Sequence, residues 1–269
     1  MSQVDPIQTD GVAPILIAGL TDRRIRIYTF TNSQFVHALS LEGHEDWVRC
    51  LSITAYPSLS GSTDLLLASG SQDNYIRLWR ISRVNERDAD EPVSHGDGGL
   101  DMLDEFERKL AGEAGGSVQI STKAHVLSID SEDGPLRYNI TLEALLMGHE
   151  AGVTNITWSP SPTDPLLLST SSDNSIILWA PSSNSTAKDG IWVPEQRFGA
   201  TAGRGLGFHG PLWSTDGKSI MATGWNGGLE RWTEVEKGVW EPRSGLSGHF
   251  GSVESCVWAP NGDYLLTVG

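Results

Sequence analysis

From Pro14 onward the chain is a succession of short apolar stretches, each broken by a turn of Gly, Asn, Asp or Ser. PILIAG is followed by a turn and IRIY, LLLASG by SQDN and YIRLW, LLLST by SSDN and SIILW, and SIMATG by WNGG and LERW. Segments of this length with alternating or continuous apolar positions between turn residues predict antiparallel strands joined by tight connections. A longer period is laid over the strands. Gly43-His44 is followed at fixed offsets by Val48, Leu51 and Ile53, Gly148-His149 by Val153, Ile156 and Trp158, and Gly248-His249 by Val253, Cys256 and Trp258. Two of these units close on an Asp and a Trp six residues apart, Asp73 with Trp79 and Asp173 with Trp179.

A Gly-His marker, a strand pair and an Asp–Trp close make the signature of the WD repeat, which supplies about four strands to each blade of a β-propeller. Laid on that template, the chain is all-β, with residues 1–13 as a flexible tail and 14–269 as an incomplete propeller. About three full blades are flanked by two partial ones. Residues from Pro14 give the back of a first blade that lacks its innermost strand, with Asp22 and Tyr28 at the six-residue spacing and an outer strand at Gln34 to Leu41. The second blade runs from Gly43 to Ile81, with a long loop at Pro57–Asp64, and its outer strand is delayed to about Leu136–Leu146. The third spans Gly148 to about Phe198. The fourth is irregular: registering on Trp213 puts Gly203-Arg204 at the marker position and Asn226 where Asp73 and Asp173 stand. It shares with the third blade a repeated outer-strand motif, Gly190-Ile191-Trp192-Val193-Pro194 and Gly238-Val239-Trp240-Glu241-Pro242. The last unit opens at Gly248-His249 and reaches Gly269 halfway through its strands. Unpaired ladder groups and apolar blade faces are expected at both ends of this arc.

Charge separates the blades from what lies between them. The net charge is −15, yet 82–134 alone holds thirteen acidic against five basic side chains. That stretch reads as an acidic insertion. Leu100, Leu103, Phe106 and Leu110 fall near helical spacing before Gly112, so a short docked helix and a disordered loop both fit it. The acidic balance argues against a direct grip on nucleic acid, which needs clustered Lys and Arg. Two cysteines, Cys50 and Cys256, exclude a disulfide framework and read as reduced interior thiols. No apolar run approaches the roughly 20 residues of a membrane span. The N-terminus shows no signal core. The chain reads as intracellular, cytoplasmic with the nucleus as a second compartment.

His44, Ser69, Asp73 and Trp79, and likewise His149, Ser169, Asp173 and Trp179, resemble the parts of a nucleophilic triad. They fit a structural role better. A turn Asp accepting from His, a His meeting a strand Ser, and a Trp donor closing the chain would satisfy polar groups inside an apolar blade. The arrangement recurs and no oxyanion donor motif accompanies it. The histidines show no ligand spacing for a metal, and Gly96, Gly98 and Gly99 do not follow a strand as a phosphate loop requires. No cofactor is expected. Trp47 and Trp225 each lie beside a loop position, where an exposed indole could face a partner or pack on its own loop.

The stretches LSLEGHEDWVRCL, GSQDNYIRLWRI, TLEALLMGHEAGVTNITW, SSDNSIILWAP, GIWVPEQRFG and LSGHFGSVESCVWAPNGDYLLTVG, taken in order, closely resemble the WD-repeat family that forms the second subunit of the Elongator complex. PILIAGLTDRRIRIYTF resembles the strand pair that precedes them in that family. The resemblance implies two propellers in a full-length subunit, a non-catalytic scaffold role, and assembly with the large scaffold subunit and the radical-SAM acetyltransferase-like subunit. It further implies that the complex modifies wobble uridines of transfer RNA, with the chemistry on the partner. Two other readings compete: a general WD-repeat adaptor, such as a substrate receptor of a ubiquitin ligase, and a propeller enzyme.

Overall fold

Alternation decides this fold, because each blade strand sends its side chains into two different cores. The structure is a computed structural model that describes residues 14–57, 63–84, 124–129, 134–161, 163–182, 191–199 and 207–269. Among these residues every regular element is a strand, and every strand pair is antiparallel. The first sheet holds β1 (Ile15–Gly19), β2 (Ile25–Thr31) and β3 (Gln34–Leu41) in that order. The second holds β4 (Val48–Pro57), β5 (Thr63–Ser71), β6 (Ile76–Arg83), β7 (His125–Ile129) and β8 (Leu136–Leu146), in the order β4-β5-β6-β8-β7. The third runs through β9 (Val153–Trp158), β10 (Leu167–Ser171), β11 (Ile176–Pro181) and β12 (Trp192–Phe198). The fourth comprises β13 (Phe208–Trp213), β14 (Ser219–Gly224), β15 (Gly228–Glu236) and β16 (Val239–Ser247), and the fifth only β17 (Ser255–Trp258) and β18 (Leu265–Val268).

The sheets stack as successive blades with an apolar layer between neighbours. Leu67 and Trp79 enter the layer shared with the first sheet, together with Ile25 and Ile27. Their chain neighbours Leu66 and Leu78 enter the layer shared with the third sheet, beside Val153 and Trp179. Strands covered on both faces read as continuous apolar runs rather than alternating ones. That is why β10 and β11 are buried almost end to end. A register shift falls beside the closing aromatic of three blades, at Ile27/Tyr28, Leu78/Trp79 and Leu178/Trp179. In the fourth blade the shift moves to Leu229/Arg231, ahead of Trp232. The repeated outer-strand motif places Trp192 edge-on to Trp158 at 5.6 Å, and Trp240 edge-on to Trp213 at 6.0 Å.

Two sequence expectations change. The loop at Pro57–Asp64 is shorter than its composition suggests, because Tyr56 pairs with Asp64 and Pro57 with Thr63. The acidic stretch 82–134 is not wholly outside the blade. Its residues 125–129 form β7, a fifth strand whose Leu127 and Ile129 are buried against the first-sheet layer. Apolar burial of two alternate residues is what recruits this strand. The tail 1–13, the helical spacing at 100–112, Gly96, Gly98, Gly99 and Gly203-Arg204 lie outside the described residues. Cys50 and Cys256 are free thiols. Burial pushes the Cys50 thiol up to about 12 and raises that of Cys256.

A candidate partner rim above two buried polar networks

The turns that end each second strand are built by their Asp. Asp73 Oδ1 accepts from the Tyr75 amide at 3.0 Å, and Asn74 takes a φ of 73°, a left-handed conformation that Asn tolerates. Asp173 and Asn174 repeat the turn, with the Ser175 amide donating at 2.8 Å and a φ of 65°. The turn leaves the second carboxylate oxygen free to meet the marker His. His44 Nδ1 donates to Asp73 Oδ2 at 2.8 Å, and the Glu45 amide donates to the same oxygen at 2.9 Å. With Nδ1 committed as donor, Nε2 accepts from the Ser69 hydroxyl at 2.9 Å, and Ser69 in turn accepts from the Trp79 indole at 3.2 Å. In the third blade His149 lies 3.1 Å from Asp173 and 2.8 Å from Ser169, and Trp179 donates to Ser169 at 2.9 Å. The structure thus brings each quartet together, joining the second and third strands, the turn between them and the loop that enters the first strand. The marker glycines serve close approach: a Cβ on Gly148 would stand 2.9 Å from the Trp179 ring, and Gly43 has a φ of 137°.

Both networks are closed to solvent, with His44 and His149 only 6% and 7% exposed. The pairing sets their electrostatics. Burial, and then the Arg77 charge, lower the His44 pKa against the pull of Asp73. Burial by itself would raise Asp73, but the donors from His44 and from the Glu45 and Tyr75 amides outweigh it and hold the carboxyl at about 2. Asp173 is likewise held well below the usual carboxylate range. Both depressed groups contribute stability above their unfolded values of 6.5 and 3.8, which is lost as pH falls toward their folded values. For Asp73 this amounts to roughly 2 kcal/mol at neutral pH. The expected result in a thermal melt series is a plateau near neutrality and a falling Tm below pH about 6.5. The variant Asp73→Asn should start lower and lose the part of the slope below pH about 4. A Tm that rises on acidification would contradict this account.

Several contributors were not marked by the sequence pattern. Arg77, 4% exposed, sets Nη1 3.3 Å from Asp73 Oδ2, which thus accepts from Arg77 as well as from His44 and the Glu45 amide. Arg80 donates to Glu143 at 2.8 Å and to Asp64 at 3.3 Å, and its guanidinium lies 4.9 Å from the Tyr56 ring centre. Cross-strand neighbours of this kind have no fixed sequence spacing, because a register shift and an inserted segment separate them. In the fifth sheet Thr267 takes the place of Ser, lying 2.8 Å from His249 Nε2. Among the described residues the fourth blade shows no such network. Ala222 stands where the others have Ser, and Asn226 keeps only the turn, accepting from the Gly228 amide at 3.1 Å.

The loops that enter each first strand and the turns that leave each second strand lie at one end of the sheets, since neighbouring strands are antiparallel. This end forms a rim with exposed aromatics. Trp47 is 56% exposed, although its backbone is fixed by the Gln72 amide, which donates to its carbonyl at 2.9 Å. Trp225 is 36% exposed, and its ring meets His209 edge-on at 4.8 Å. The two belong to blades separated by the third. Phe250, in the position that Glu45 and Glu150 hold in the other markers, is fully exposed. Its signal in the sequence is the change from Gly-His-Glu to Gly-His-Phe. Among the described residues no group of three or more His, Cys, Asp or Glu is arranged to hold a metal ion, and no helix is long and apolar enough to cross a membrane.

Stacked antiparallel sheets, two of them pinned by a His–Asp turn and a Trp from the third strand, define a WD-repeat β-propeller arc. The family profile described as "WD domain, G-beta repeat" matches residues 35–80, 140–180 and 240–269. Most of the fourth blade falls between its matches. Elongator complex protein 2 of Dictyostelium discoideum is 33% identical over 94% of this chain, and that of Homo sapiens 34% identical over 95%. The Schizosaccharomyces pombe protein of the same name is 35% identical over 93%. The chain therefore belongs with the Elongator complex protein 2 family of WD-repeat sequences. It spans 28–30% of the length of these relatives.

Proposed function

We propose that this chain is a non-catalytic WD-repeat scaffold of the Elongator complex, holding other subunits while a partner modifies wobble uridines of transfer RNA. The observation that most supports the reading is identity of 33–35% with Elongator complex protein 2 over more than nine-tenths of the chain. The geometry agrees with it. His44 and His149, the residues best suited to proton transfer, are buried and engaged on both ring nitrogens. The exposed aromatics Trp47, Trp225 and Phe250 instead supply contact area on one rim, the kind of surface on which binding hot spots form. Its partners are then the large scaffold subunit and the radical-SAM subunit. The net charge of −15 leaves the nucleic-acid grip to them. The protein acts in the cytoplasm, with a nuclear population.

Affinity purification of the native full-length protein is expected to recover the other Elongator subunits. A cullin adaptor in their place would favour a ubiquitin-ligase substrate receptor, and an unrelated assembly would remove the Elongator reading altogether. If the rim is the docking surface, the paired change Trp47→Ala and Trp225→Ala should weaken recovery of at least one subunit by about tenfold or more while leaving the melt unchanged. Undiminished recovery would place the interface elsewhere.

A further inference from the structure

The turn of the fourth blade differs from those of the second and third in its chemistry. Asn226 stands where they carry Asp73 and Asp173, and it is followed by Gly227. An Asn side-chain carbonyl can close a five-membered ring with the next residue's amide nitrogen, and Gly leaves that approach least hindered. Asn226 is exposed, so water reaches it. Its Oδ1 accepts from the Gly228 amide at 3.1 Å, a donor placed to hold the negative charge that an attack on Cγ would put on that oxygen. Gly224 makes room for the same oxygen, since a Cβ there would stand 2.6 Å from it. Among the described residues the Asn226 Nδ2 has no hydrogen-bond partner to hold it back as a leaving group.

The Gly227 amide beside it is loosely held. It donates to the Gly224 carbonyl at 3.3 Å, beyond the usual range for such a bond. Comparable places in the chain are more restrained. Asn74 and Asn174 are followed by Tyr75 and Ser175, whose amides are committed to the carboxylates of Asp73 and Asp173 at 3.0 and 2.8 Å. Asn261-Gly262 repeats the dipeptide, but the Gly262 amide donates to the Ala259 carbonyl at 2.8 Å, and Asn261 Nδ2 donates to the Asp263 carboxylate.

We propose that Asn226 is a site of self-modification, at which the Gly227 nitrogen converts the side-chain amide into a carboxylate. Gly227 N attacks Cγ and gives up its proton, the Cγ–Nδ2 bond breaks, and Nδ2 leaves with that proton as ammonia. Water then opens the cyclic imide at Cγ and returns a proton to Gly227 N. The sum is one water consumed and one ammonia released, with no change of oxidation state. Opening at the backbone carbonyl would instead lengthen the main chain by a methylene between residues 226 and 227. Gly227 has no room for that: a Cβ there would stand 2.7 Å from the Gly251 carbonyl oxygen and nearer still to that of His249. The folded chain therefore favours Asp, the residue that builds the turns of the second and third blades by accepting from the amide two positions on.

The test incubates the native full-length protein, folded, in water labelled with heavy oxygen at mildly acidic and mildly alkaline pH, and follows its tryptic peptides by chromatography and mass. The peptide Ser219–Arg231 carries Asn226. It is expected to gain an acid form holding one heavy oxygen, faster in alkali because the Gly227 amide must lose its proton, and mostly as normal aspartate. The peptides that hold Asn74, Asn174 and Asn261 should change more slowly. Asn226→Gln, whose ring would have six members, should stay unconverted under the same conditions, and Asn226→Asp should melt with the parent. An Asn226 that keeps its amide in the folded protein and loses it only in urea would overturn the proposal. So would conversion no faster than at Asn261, an isoaspartyl product in the majority, or a melt of Asn226→Asp well below that of the parent.

Discussion

Replacing Trp179 by Ala is expected to lower the unfolding free energy by about 3–5 kcal/mol, the usual cost of truncating a fully buried aromatic. Trp179 is 1% exposed, and its indole fills the layer between the second and third sheets. It lies edge-on to the His149 ring with centroids 6.5 Å apart, and it donates to Ser169 at 2.9 Å. Truncation opens a cavity and takes away the donor at the end of the network. Trp179→Phe separates the two effects, since it keeps most of the volume and removes only the N–H. Its loss should be nearer 1–2 kcal/mol. Trp232→Ala in the fourth blade provides the comparison: Ala222 cannot accept from an indole, so the cavity alone should act. Urea unfolding of the three variants checks this. A loss under about 1 kcal/mol for Trp179→Ala would mean that the third blade is not part of the cooperative core.

The residues that were legible in the sequence are those whose partners sit at fixed spacing. Ser169, Asp173 and Trp179 lie on one hairpin, so their separations are set by the turn, and His149 reaches them from a loop that the Gly-His marker announces. The strand pattern and the incomplete blades at both ends were legible for the same reason, as was the register of the fourth blade on Trp213. What escaped depends on contacts between distant segments. Leu127 and Ile129 lie in a stretch whose composition is dominated by Asp, Glu and Gly, and only their burial against the first-sheet layer marks them as a strand. Arg77 occupies a position that holds Ile177 in the third blade and Glu230 in the fourth. A site so variable carries no pattern, although here it bears on both His44 and Asp73. Pro57 and Thr63 read as loop because Pro and Thr flank a Ser-rich connection, yet the pairing carries through them. Local composition marks where a chain turns, but not how far a ladder continues beyond its turn residues.

His149→Ala is the change that best separates a strut from a catalyst. In the wild-type chain the His149 side chain is 1% exposed and that of Asp173 5%, so removing the imidazole leaves a buried carboxylate without its main partner. Breaking a buried pair in this way costs about 3–5 kcal/mol. Asp173 retains donors in the Glu150 and Ser175 amides, the Ser175 hydroxyl and Arg197, which places the expected loss near the lower end, about 3 kcal/mol. Ser169 also loses its contact with Nε2. The expected result is a lower midpoint in urea, together with a recovery of partner subunits that falls only as the folded fraction falls. The double variant His149→Ala with Asp173→Ala should be less destabilised than the sum of its parts, because the stranded charge is gone. An additive cycle would show that the two side chains do not share their burial. A propeller enzyme would behave in the opposite way, with His149→Ala folding and melting as the parent does while a measurable turnover disappears. That outcome would overturn both the structural role given to the network and the scaffold reading built on it.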